Sequence, residues 1–128
     1  AEISIREKSG LLAYSPMAFG VLSGKYRNNQ KPKGSRLQLF GDMFPRYVGK
    51  LPLLAVEEYF KVAKKHKISL AQLSLAFVNQ QPFVTSNIIG ATTIKQLKED
   101  IESTNIELSS EIIDEINLVH KNNPNPAP

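Results

Sequence analysis

Residues Asn87 to Ile101 read NIIGATTIKQLKEDI. An apolar run ends at Gly90 and Ala91, two threonines follow, and a helical pattern begins with Ile94, Leu97 and Ile101 on one face. This is the form of a strand-to-helix turn, and it has two readings. In the first, the turn receives an anion. Gly90 lets the backbone approach a ligand closely, and the free N–H groups at the helix start carry a partial positive charge. Thr92 and Thr93 would add hydroxyls and Gln96, one turn in, an amide. The second reading needs no ligand: Thr93 and Gln96 bound TIKQ, a capping box that satisfies the helix's own donors.

Upstream, GLLAYSPM (Gly10–Met17) reads as a strand stopped by Pro16. Its continuous run Leu11-Leu12-Ala13 suits burial on both faces, as in a parallel sheet. TSNIIGA (Thr85–Ala91) is the second short strand. Strand-helix alternation favours parallel strands. A long connection rich in Gly, Asn, Pro, Lys and Arg runs from Ala18 to about Lys50. Such a loop is usually functional or mobile, and Arg27 to Gly49 is expected to be loose or rearranged.

Helices fill most of the remainder. One starts near Leu51 or Pro52, where proline is tolerated, and runs to about His66. Leu54, Ala55, Val56, Tyr59, Val62 and Ala63 form its apolar side. The next opens on SLAQ, a capping box from Ser69 to Gln72, and stops at Pro82. A last helix starts at Ser109 or Ser110 with Ile112, Ile113, Ile116 and Val119 as its stripe. NNPNPAP has little to bury, so residues 123–128 are expected to be a disordered tail and residues 1–122 the folded unit. Only two good strands appear. Two parallel strands leave both edges unpaired, which points to a piece of a larger architecture.

The chain has 128 residues, 41% hydrophobic and 22% charged, a globular composition with room for one domain. It contains no cysteine, which excludes disulfides, thiolate metal sites and a cysteine nucleophile. No apolar run approaches a membrane span, and AEISIREKSG lacks the apolar core of a signal peptide. Neither a membrane partner nor export is expected, and the composition fits the cytoplasm. The net charge is +4. Its densest cationic group, KVAKKHK (Lys61–Lys67), sits inside a helical pattern that turns Lys61, Lys64 and Lys65 to water. No aromatic residues interleave with these lysines, so no nucleic-acid partner is expected.

A second candidate stretch is YSPMAFGVLSGKY, Tyr14–Tyr26. Tyr14 and Ser15 end a strand, where parallel α/β folds hold ligands. Tyr14 offers a stacking face, and Lys25 and Arg36 offer charge for a pyrophosphate. The alternative is a core tyrosine, a turn proline and two loop cations. His66 and His120 each end a helix, where a cation is mildly stabilising. Asp42, Glu57 and Glu58 read as surface carboxylates. No metalloprotease, nucleophile-elbow, P-loop or dinucleotide glycine motif appears.

Taken together, these stretches resemble the aldo-keto reductases. LLAYSPMAFGVLSGKY is similar to strand seven of their (β/α)8 barrel and the loop after it, and NIIGATTIKQLKEDIES to strand eight and its helix. SLAQLSLAFVNQQPFVTS resembles the family's helix before the last strand, and LSSEIIDEINLVH its C-terminal helix. The nearest likeness is to a bacterial, Tas-like branch related to the β subunits of potassium channels. The resemblance implies an α/β chain forming the C-terminal fragment of a (β/α)8 TIM barrel: the last two strands, their covering helices and an extra C-terminal helix. Under it, Gly10–Ser15 and Ser86–Gly90 are expected to be parallel neighbours.

The resemblance also implies NADPH as cofactor and a small-molecule carbonyl as substrate. Tyr14 would lie beneath the nicotinamide. Ser15, Pro16, Met17, Ala18 and Phe19 would line the pyrophosphate path, with Lys25 and Arg36 as cationic contacts. Gly90, Thr92 and Gln96 would hold the adenosine 2′-phosphate, and Glu99 and Asp100 would meet the adenine. This chain departs from the family in two places, having Asp100 where Asn is frequent and Gln96 where several members have arginine. The loop near Gly34 does not align cleanly. The family's catalytic aspartate, tyrosine, lysine and histidine precede this stretch, so no catalytic residue is expected here. The expected function is the C-terminal part of an NADPH-dependent reductase of aldehydes or ketones, partnered by the N-terminal half of the barrel. The alternative is a non-catalytic half-barrel that pairs with itself or another chain.

Overall fold

The computed structural model describes residues 1–127, with Asp42 described by its backbone alone. The expected surface role of Asp42 and the last residue of the tail therefore lie outside the described residues.

Strands β1 (Leu11–Tyr14) and β2 (Val84–Ile88) form a parallel two-stranded sheet. Leu12 pairs with Ser86, Ala13 with Asn87 and Tyr14 with Ile88, after an irregularity between Leu11 and Leu12. The expected parallel pairing is therefore present. Gly10 lets the strands approach closely at their start: a Cβ there would lie 1.8 Å from Thr85 Oγ1 and would force that side chain or the backbone to shift. Burial of β1 on both faces is not observed. Leu11, Leu12 and Tyr14 are exposed, because one neighbouring strand and the helices of this chain cannot cover both sides.

The helices are α1 (Glu2–Arg6), α2 (Arg36–Phe40), α3 (Lys50–Lys65), α4 (Leu70–Asn79), α5 (Ile94–Glu102) and α6 (Ser110–Asn122). Their ends follow from local chemistry. Ser69 caps α4 with both halves of the box: its Oγ accepts from Gln72 N at 3.1 Å, and its N–H donates to Gln72 Oε1 at 3.2 Å. Ser109 Oγ accepts from Ile112 N at the start of α6. The short α1 buries nothing and had no signal in the periodicity.

The core lies among α3, α4 and α6, built from Val56, Val62, Ala63, Leu73, Ala76, Ile116 and Val119 among others. Lys61, Lys64 and Lys65 face water, as the pattern requires. Gln80 ties α4 to the segment before α6: its Nε2 donates to Leu108 O and its Oε1 accepts from Leu108 N, at 3.2 and 2.8 Å.

The connection from β1 to α3 is not structureless. It contains short 3-10 turns at Ala18–Ser23, Arg27–Asn29, Gly41–Met43 and Pro45–Tyr47 as well as α2. Val21, Tyr26 and Leu37 anchor it in the core. Phe19 packs on Phe44 with ring centroids 4.1 Å apart. Arg27 donates to both carboxylate oxygens of Glu57, at 2.8 and 2.7 Å, with its guanidinium 3.2 Å from the centre of the Phe60 ring. Glu57 is thus a structural ion-pair partner rather than a simple surface carboxylate.

Candidate cofactor-binding site

The two parallel strands end side by side, and the chain leaves each in a way that opens a groove. After β1, Ser15, Ala18 and Phe19 all adopt positive φ, at 54°, 47° and 62°. Three non-glycine residues in that region within five positions constitute stored backbone strain, which is concentrated at functional sites. After β2, Gly90 and Thr92 lead into α5. Between these turns lies a groove of about 480 Å³.

The strand-end residues Tyr14, Ser15, Pro16 and Met17 line it, joined by Phe19 and Lys25 from the connection. Tyr14 is 80% exposed, so its ring face is available for stacking. Arg36 comes in on the first turn of α2. A Cβ on Gly90 would lie 3.4 Å from its Nη2, so the glycine lets the guanidinium cross close to the end of β2. The same guanidinium lies 5.5 Å from the centre of the Phe19 ring. Among the described residues, neither Lys25 nor Arg36 forms an ion pair with a carboxylate, and they are the only cations lining the groove.

Gly90, Thr92, Gln96, Glu99 and Asp100 form the opposite wall. The two readings of TIKQ are each realised in part. Thr93 Oγ1 accepts from Gln96 N at 3.2 Å, which is half of a capping box. The Gln96 side chain does not return to Thr93. Its Oε1 accepts from Thr92 N–H and Thr92 Oγ1 at 3.0 and 2.9 Å. An amide oxygen therefore sits where an anion's oxygen would be held, on donors at the start of α5.

Asp100 is 5% exposed, and its Oδ2 has no hydrogen-bond partner. Burial first, and the charge of Glu99 second, push its carboxyl above the ordinary aspartate range. A network holds its backbone: Asn87 donates to Asn79, Asn79 to Ser103 Oγ, and Ser103 Oγ to Asp100 O.

Twelve of the thirteen expected site residues thus come together. Ala18 does not reach the groove wall; its N–H donates to Ser15 O at 3.0 Å and serves the turn. Ser35 was not foreseen. It lines the groove, is buried, and its Oγ lacks a partner although it stands at the N-cap of α2. A serine directly before Arg36 was the available signal. Two of the three orphaned buried side-chain atoms among the described residues, Ser35 Oγ and Asp100 Oδ2, line this one groove. Such atoms are costly unless a ligand or water meets them. Together with two uncommitted cations and an exposed tyrosine face, they fit a ligand that is both anionic and aromatic, as a phosphorylated dinucleotide is.

Elsewhere, His66, Glu111 and Glu115 bring ligand atoms within 4.8 Å of one another. Lys65 Nζ lies 2.9 Å from Glu111 Oε1 and also pairs with Glu115, so the cation at that cluster is the chain's own ammonium. No helix among the described residues is long and apolar enough to cross a membrane.

Comparison with known proteins identifies the family. The family model for the aldo/keto reductase family matches residues 7–121. The chain is 48% identical, over its whole length, to Protein tas of Escherichia coli (strain K12), covering 37% of that protein. It is 34% identical over 119 residues to a probable voltage-gated potassium channel subunit beta of Oryza sativa subsp. japonica, which covers 90% of this chain and 36% of the relative. It is 31% identical over 100 residues to L-glyceraldehyde 3-phosphate reductase of Escherichia coli (strain K12), covering 75% of this chain and 29% of that one. The chain spans a little over a third of the length of the first of these relatives. With a family model matched across residues 7–121 and a sheet that is parallel as that family requires, the chain belongs to the aldo/keto reductase family.

Proposed function

We propose that this chain is the C-terminal portion of an NADPH-dependent reductase of aldehydes or ketones, contributing most of the cofactor's binding surface. In this reading β1 and β2 are the last two strands of a (β/α)8 barrel, and the groove lies at their carboxyl ends, where such barrels carry their chemistry. The observation that carries the reading is the groove itself, which gathers Tyr14, Lys25, Arg36, Gly90, Thr92 and Asp100 from segments far apart in sequence.

NADPH, when bound, supplies the hydride. The residues of this chain bind and orient it. Tyr14 offers a ring face to the nicotinamide. Lys25 and Arg36 neutralise phosphate charge in a partly water-excluded groove, where charge-assisted hydrogen bonds are strong. Thr92 and the start of α5 receive the 2′-phosphate, with Gln96 moving aside. Ser35 and Asp100 present the two orphaned polar atoms to the adenosine end. No group in this groove is assigned as proton donor; that role belongs to the N-terminal half of the barrel.

The test is NADPH oxidation with a reactive aldehyde, by this chain alone and then mixed with the N-terminal half of the barrel. Turnover only on mixing is expected, since general acid catalysis alone is commonly worth about 10²–10⁴-fold. Turnover by the chain alone would show that the catalyst is among the residues described above.

A second reading, a non-catalytic module that pairs with itself or another protein, is favoured by one observation. Leu12 and Ile88 on the strands and Ile94 and Ile101 on α5 are all exposed. Turnover on mixing with the N-terminal half would remove it, since a non-catalytic module completes no enzyme.

A further inference from the structure

The least comfortable group in the molecule is the Asp100 carboxylate. It lies in the groove wall, buried, with Oδ2 unpartnered. The elements packed around α5 do nothing for its charge. Neither β2, α4 nor the turn Ser103–Asn105 contains an ionisable side chain. On α5 itself, Glu99 stands beside it, while Lys95 and Lys98 line a separate open shelf with Gln72 and Glu102. Across the groove, Arg36 is at Gly90 and Lys25 beside Gly20 and Tyr26. A dinucleotide entering here would bring more negative charge and engage both cations.

We propose that Asp100 meets the adenine as the neutral acid, so that cofactor binding carries a proton from solvent onto this side chain. This rests on the reading of the groove as the adenosine end of a dinucleotide site. The chemistry of the base supports the choice of protonation state. The exposed edge of adenine pairs an acceptor, N7, with a donor, the exocyclic amine. A carboxylate can accept from the amine but meets the N7 lone pair with a second acceptor. A carboxylic acid donates its O–H to N7 and accepts the amine on its carbonyl oxygen. It therefore makes the two hydrogen bonds that an asparagine amide would make at the same position. The balance is one proton taken up per ligand bound, with no other bond made or broken. The raised carboxyl pKa of the free site lowers the cost of that uptake.

The experiment titrates this chain and its Asp100→Asn variant with adenosine 2′,5′-bisphosphate from about pH 5 to about pH 7. The ratio of the two dissociation constants, parent over variant, removes the titration of the ligand's own phosphates. That ratio is expected to rise with pH, by up to about tenfold per unit between the free and bound pKa values. Calorimetry in buffers of different ionisation enthalpy should find the parent absorbing more protons than the variant, up to one per ligand where the pH lies between the free and bound pKa values. A ratio that stays flat overturns the proposal while leaving the adenosine site intact. Absence of binding by both proteins at every pH overturns the site reading and the proposal with it. Where the variant fails to fold, carboxyl carbon NMR of the parent decides. The Asp100 pKa rises on ligand addition if the proposal holds, and stays or falls if it does not.

Discussion

The helices α4 and α5 precede and follow the same strand in the chain, and each carries an apolar stripe, yet they end up in opposite conditions. α4 buries Leu70, Leu73, Leu75 and Ala76 and presents little apolar surface to water. α5 exposes Ile94 at 70% and Ile101 at 55%, and the residue it buries is Asp100. At about 100° per residue, Asp100 lies roughly a quarter-turn round from the centre of the Ile94-Leu97-Ile101 stripe. The packed face of α5 is thus not its apolar face. Amphipathicity says that a stripe wants cover but does not say that this chain provides it. α4 is covered within the chain; the apolar stripe of α5 and Leu12 and Ile88 on the strands are not.

The widest separation between the two helices should come from truncating a core residue. Leu75, 1% exposed, becomes Ala at an expected loss of about 2–5 kcal/mol in urea unfolding. Next is the cap of α4. Ser69→Ala removes the acceptor for Gln72 N and should cost about 1 kcal/mol in the same assay.

Asp100→Asn should act in the opposite direction. Because burial raises the Asp100 pKa in the folded state, its charge adds an unfavourable term that is absent below the ordinary aspartate value and grows as pH rises through the raised one. The variant should therefore be more stable at neutral pH, by about 1 kcal/mol, with the gap in thermal melting closing in acid.

Glu57 behaves in the reverse sense. The hydrogen bonds from Arg27 hold its carboxyl below the usual value, so the pair stabilises above the ordinary glutamate range and its contribution fades as pH falls through the lowered one. Both side chains keep some solvent contact, so Glu57→Gln should cost no more than about 1 kcal/mol near neutral pH and less with added salt. The smallest effect belongs to the α5 stripe: Ile94→Ser should shift unfolding of this chain by less than about 0.5 kcal/mol. A loss as large as that of Leu75→Ala would mean that α5 is covered after all, and the contrast with α4 would collapse.

What could be read beforehand divides along the same line. Caps and periodicity are local, so Ser69, Ser109 and Thr93 announced the starts of α4, α6 and α5. The two strands were legible from apolar runs bounded by Pro16 and Gly90, and their pairing through the family resemblance. The connection after β1 was not. Its turns use positive φ at Ala18, Phe19, Asn28 and Asn29, and nothing in the composition marks an alanine or phenylalanine for that region. Its anchors, Val21 and Leu37, sit in apolar groups too short to establish a period. The groove residues were legible only through the family resemblance, since a tyrosine, two cations and a threonine are unremarkable singly. The burial of Asp100 was hidden because an acid beside a glutamate in a charged helix reads as solvated surface. Only the Asn87–Asn79–Ser103 network, which fixes its backbone across three elements, places it inside.

The Gln96 side chain makes the groove a site with a resident rival. Its oxygen holds the two Thr92 donors at 3.0 and 2.9 Å, so an incoming phosphate exchanges partners instead of filling a vacancy. Each bond surrendered is worth about 0.5–1.5 kcal/mol net, and the gain on arrival is reduced by that amount. The exchange also sets a clock. A phosphate binding at Thr92 would have to wait for the amide to swing out, and on its departure the amide would recapture Thr92. In the reading of the groove as a phosphate site, Gln96 would therefore loosen the hold on the ligand rather than tighten it.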